Sequence, residues 1–121
     1  MPLVKSPTHL FEPNPLACGQ AVLSMLSGKT YEEIVNIVKT ERETTLRDMK
    51  QALKVLGISC GDERTQVKDK SQLPPVALLS LETPKCWHWS LWFRGRFYDP
   101  EYGVLEDFPP SARRYYWEIT E

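Results

Sequence analysis

The apolar positions change their spacing once along the chain, near Gly57. Before it they recur at helical intervals. Ala21, Val22, Met25 and Leu26 fall on one stripe, which predicts a helix over residues 16 to 27 that Gly28 ends. Pro15 suits the first turn of that helix, where a missing N–H costs nothing. A second helix follows Thr30 as N-cap, with Glu33 completing a capping box. Tyr31, Ile34, Val35 and Val38 form its predicted buried face. A third helix starts near Thr44 or Thr45, with Asp48 in its first turn. Leu46, Met49, Leu53 and Leu56 then follow at helical spacing, and Gly57 stops it.

After Gly57 the period shortens. PPVALLSL, residues 74 to 81, is a continuous apolar run after a proline pair, as a buried strand requires. WHWSLWF, residues 87 to 93, alternates bulky aromatics with His88 and Ser90, the pattern of a half-buried strand. Arg94 and Gly95 read as a tight turn, so RFYD, residues 96 to 99, returns as the hairpin partner. YYWEIT, residues 115 to 120, is a last strand. Residues 2 to 15 carry Pro2, Pro7, Pro13 and Pro15, and residues 1 to 14 read as an extended arm. Helices first and an antiparallel sheet second make an α+β domain spanning residues 1 to 121.

Composition narrows the partners. Hydrophobic residues make up 41% and charged residues 26%, the balance of an ordinary globular protein. The formal net charge of -1 provides no field for nucleic acid or an anionic membrane. Arg113 and Arg114, beside Tyr115, Tyr116 and Trp117, read as the charged start of a strand rather than a nucleic-acid patch. No stretch approaches the roughly 20 apolar residues of a membrane span. The first 15 residues lack the apolar run of a signal peptide, and three cysteines are an odd number for a disulfide framework. Reduced thiols and a cytoplasmic protein, in its own cell or a host's, are the expectation.

Cys18 is the first candidate for chemistry. At a helix start it meets free N–H groups and the positive end of the helix dipole, which favour thiolate over thiol. Gly19 has no side chain to block an approaching substrate. A thiol nucleophile needs a base and an orienting group. His9 falls in the proline-rich arm and is expected to be exposed, which leaves His88 on the aromatic strand as the base. If residues 94 and 95 form the turn, Asp99 falls opposite residues 88 to 90, within reach of the His88 ring. Cys60, Cys86 and His88 show no metal-ligand spacing, so no metal is expected. Without a glycine-rich loop before a helix there is no phosphate cradle either, and no cofactor. Cys60 and Cys86 read as small apolar fillers, and Trp87, Trp89, Trp92 and Tyr98 as aromatic walls, most in the core and one toward the cleft.

CGQAVLSML, WHWSLWF and YDPEYG, with the helices between them, resemble the papain-like cysteine peptidases. The likeness is nearest to the bacteriocin-processing, double-glycine type and runs from about residue 12 to residue 108. It implies a papain-like fold and a peptide or protein substrate. It also implies Cys18 as nucleophile, His88 as general base and Asp99 as the group that orients the histidine. That family usually places a glutamine six positions before the cysteine, where its amide donates to the oxyanion; here the position is Glu12. An ionised carboxylate cannot donate and would repel developing negative charge. Asn14 or Gln20 could supply an amide instead, Glu12 could be protonated, or hydrolysis could be lost. The same triad would serve another thiol acyl transfer, such as amidase, transglutaminase-like or ubiquitin-like-tag chemistry. A catalytically silent peptide-binding domain is the remaining alternative.

Overall fold

Three helices precede seven short strands in the computed structural model, which describes residues 3 to 121. Met1 and Pro2, where the predicted arm begins, lie outside the described residues. Helix α1 is Cys18–Ser27, α2 is Tyr31–Val38 and α3 is Leu46–Val55. Helix α1 starts later than its apolar spacing predicts, and Pro15 stands before it rather than in its first turn. The cause is local. The Asn14 side chain accepts the N–H of Leu16 at 2.9 Å, a turn that competes with helix at those residues. Gly28 closes α1 at φ 76°, a left-handed conformation that glycine adopts without strain.

At α2, Thr30 accepts the N–H of Glu33 as expected, at 3.2 Å. Glu33, however, takes the Thr30 hydroxyl instead of the N-cap N–H, so the predicted capping box forms only by half. Of the predicted buried face only Ile34 is fully buried; Tyr31, Val35 and Val38 are half-buried because this short helix sits at the rim. Helix α3 carries the complete reciprocal box, Thr45 with Asp48. Gly57, at φ 77°, follows its last turn.

The strands are β1 (Ser59–Cys60), β2 (Thr65–Gln66), β3 (Val76–Glu82), β4 (Trp87–Phe93), β5 (Arg96–Asp99), β6 (Gly103–Leu105) and β7 (Arg114–Thr120). They pair antiparallel in the order β1-β7-β3-β4-β5-β6, with β2 also on β7. The fold is therefore α+β, helices before an antiparallel sheet. Arg94 and Gly95 both take positive φ, as a tight hairpin turn demands, and set Leu91 opposite Tyr98. One register step further, Asp99 comes beside Ser90.

Both faces of the sheet are covered. On one, Leu78, Leu91 and Phe93 pack with Leu23, Leu26, Met49 and Leu53 of the helices. On the other, Leu79, Leu81, Trp92 and Phe97 lie under Phe108, Leu73 and Tyr116. Strand β4 is thus not half-buried as its alternation suggested: His88 is 4% exposed and Ser90 is fully buried. Two polar residues inside a sheet need partners there. Of the paired arginines, Arg113 makes a bidentate contact with Glu82 and lies over the Trp87 ring, while Arg114 lies over Phe108. Among the described residues no helix is long and apolar enough to cross a membrane.

Candidate active site

The start of β4, the start of α1 and the turn after β5 meet at one place. Asp99, wholly buried, takes the His88 ring nitrogen Nε2 at 2.9 Å on Oδ1. The backbone N–H groups of Glu101 and Tyr102 donate to the same oxygen, and the Ser90 hydroxyl donates to Oδ2 at 2.7 Å. Burial would raise the Asp99 carboxyl, but His88 and the donors from Tyr102 and Ser90 hold it below the ordinary carboxylate range. A carboxylate accepting all these bonds requires the proton on Nε2, which leaves Nδ1 for the other side of the ring.

That other side holds Cys18. Its sulfur accepts the backbone N–H of Trp89 at 3.4 Å and lines the same cleft as His88. Burial disfavours charge on His88, yet the hydrogen bond to Asp99 and the negative charge that Asp99 and Cys18 can bring beside the ring outweigh it. The imidazole is pushed up to about 10. Cys18 itself is only 7% exposed. Its backbone N–H, in the first helical turn, has no acceptor within the helix. The sulfur opens onto a cleft of about 380 Å³ between Leu16, Glu43, Trp87 and Trp89.

Glu12 is the third neighbour of His88. Its Oε1 stands 3.9 Å from Nδ1, buried and without a hydrogen-bond partner. The backbone holds it there, since Glu12 N–H donates to the Pro100 carbonyl at 2.9 Å. Burial, with help from Glu101 and Asp99, raises the Glu12 carboxyl against the opposing charge of His88.

The structure thus brings Cys18, His88, Asp99 and Glu12 together, and leaves the other two amide candidates elsewhere. Gln20 is buried with its amide nitrogen donating to the Thr40 and Arg42 carbonyls, 2.8 Å each, so it ties down the loop before α3. The Asn14 amide nitrogen faces the Glu41 carbonyl at 3.4 Å. Gly19 does not clear a path for substrate either. A Cβ there would run into Thr44, Met49 and Trp89, so glycine lets the loop and the strand close on the helix. Nor is His9 exposed: it is half-buried, and its Nε2 meets the Asp99 backbone carbonyl at 2.7 Å.

Ser90 and Glu43 belong to this region without having been singled out in the sequence. Ser90 carries a signal in hindsight, as the residue that the hairpin register sets beside Asp99. Among the described residues no group of three or more His, Cys, Asp or Glu side chains is arranged to hold a metal ion. A scan against known protein-family models gives no match, and no curated protein sequence is significantly similar to the chain.

Proposed function

We propose that the chain is a papain-like cysteine peptidase that hydrolyses a peptide or protein through Cys18, His88 and Asp99. One observation carries the reading: a thiol at a helix start shares a cleft with a buried imidazole whose far nitrogen is held by a buried carboxylate. In this reaction the proton of Cys18 goes to Nδ1 of His88, and the thiolate attacks the scissile carbonyl carbon. The carbonyl oxygen becomes an oxyanion, with the Cys18 N–H as donor. Its collapse breaks the C–N bond, the leaving amine takes the proton from His88, and a thioester remains. Water then gives a proton to His88 and its oxygen to the thioester carbon. The product acid leaves and the thiol is restored.

Glu12 gives the site a second acid. With its proton on, the buried Glu12 carboxyl can donate to the oxyanion; ionised, it stands beside Nδ1 and opposes that charge. The same residue supports the rival reading, a silent fold that binds a peptide without cutting it, because an ionised Glu12 works against turnover.

Incubation with a complex peptide mixture, followed by mass spectrometry of new termini, tests the proposal. Cleavages present with the parent and absent with Cys18→Ala are expected. Identical peptide maps from the two proteins would remove the peptidase reading.

A further inference from the structure

We infer that the cleft beside Cys18 selects a peptide carrying a cationic side chain next to an apolar one, and that Glu43 reads the cation. The inference depends on the proposed function only in taking a peptide as the occupant of the cleft.

The apolar part follows from the walls. Leu16 is 39% exposed and Trp87 is 47% exposed, and both line the cleft with Trp89. Large apolar side chains left open at the rim of a concave surface gain from a ligand that covers them. A leucine-sized side chain between Leu16 and Trp87 would do so.

The cationic part follows from which charges already have partners. Glu43 is exposed and is the one carboxylate among the residues lining this cleft. It forms no ion pair among the described residues, whereas Arg113 and Lys85 do. Arg113 is bound to Glu82 by two nitrogens, and Lys85 stands 3.8 Å from Glu101. Arg113 and Lys85 are therefore engaged with other carboxylates, and Glu43 has no cation bound to it among the described residues.

Its position is also held. The carbonyl of the next residue, Thr44, accepts the Trp89 indole N–H at 2.9 Å, and the Thr44 side chain is buried against Gly19 and Met49. The carboxylate thus stands on an anchored segment rather than a free loop. A lysine or arginine could lay its apolar stem along the wall and bring its charge to Glu43. A glutamate at the same position would meet like charge without compensation.

Capped hexapeptides that place lysine, norleucine or glutamate beside one leucine test this, titrated by calorimetry into the Cys18→Ala protein at low ionic strength. The lysine peptide should bind roughly threefold to tenfold more tightly than the norleucine peptide, and the glutamate peptide should bind most weakly. The preference should shrink in about 0.5 M salt, level out in Glu43→Gln and reverse in Glu43→Lys. Equal binding of the lysine and glutamate peptides would overturn the inference. So would a preference that survives Glu43→Gln, or no binding of any peptide at millimolar concentration. Because Cys18→Ala binds without turnover, a cation preference in a protein whose parent cuts nothing would support the Glu43 site and reject the peptidase reading alone.

Discussion

Asp99 receives Nε2 of His88 on one carboxylate oxygen and the hydroxyl of Ser90 on the other, all three buried where β4 begins and β5 ends. The pair is structural as well as chemical. Removing the carboxylate in Asp99→Ala strands the His88 ring, the Ser90 hydroxyl and the N–H groups of Glu101 and Tyr102 without their acceptor. Leaving a buried charge and its donors unpaired should cost about 3–5 kcal/mol of stability, read from urea unfolding. Ser90→Ala removes one donor and should cost about 1–1.5 kcal/mol. Peptide turnover should fall in both variants and fall further in Asp99→Ala.

Stability should also depend on pH in a way that reports the site. His88 is raised from 6.5 to about 10 in the folded chain. Its contribution is complete below pH 6.5 and is lost as pH rises toward 10. Asp99 is lowered from 3.8, so its contribution is present above that value and is lost as pH falls through the folded one. Urea midpoints should therefore decline on both sides of a plateau between about pH 4 and 6.5. His88→Gln should flatten the alkaline decline, and an unchanged alkaline limb in that variant would remove His88 as its source.

Glu12→Gln separates the two states of the second acid. The Glu12 carboxyl is raised by burial, so the neutral form is favoured until pH rises through the folded value. If the neutral acid serves turnover, parent activity declines across that rise and Glu12→Gln, which always carries N–H donors, does not follow. The variant should equal or exceed the parent, by up to about a hundredfold where Glu12 is ionised. A folded but inactive Glu12→Gln would show that the carboxylate itself is needed.

Gly19→Ala tests packing beneath the site. Its new methyl meets Thr44, Met49 and Trp89, two of which also shape the cleft. Forcing them apart should cost about 1–3 kcal/mol by thermal or urea unfolding.

Much of this arrangement is legible in the chain before any coordinates. The stripe Leu46, Met49, Leu53 and the Thr45–Asp48 pair announce α3, and Arg94-Gly95 sets the hairpin that carries Asp99 to His88. Strands β1, β2 and β6 are two or three residues long and exist only through pairing with β7 or β5, so no local period reveals them. The alternation in WHWSLWF misleads for a physical reason. Polar residues at every second position usually face water, but His88 and Ser90 are buried because Asp99 satisfies them. Gln20 and His9 escape a local reading too, since each is defined by a carbonyl distant in sequence, Thr40 and Arg42 for one and Asp99 for the other.

The central claim is that Cys18 is an activated nucleophile, and a competition among three thiols tests it directly. Cys86 is exposed, Cys60 is half-buried with its thiol pushed up by burial, and Cys18 is the most buried. Access alone orders them with Cys86 first. A substoichiometric dose of iodoacetamide at pH 7, followed by peptide mapping, should nonetheless alkylate Cys18 first in the parent, and His88→Ala should cancel that lead. Alkylation of Cys86 ahead of Cys18 in the folded parent would contradict the account.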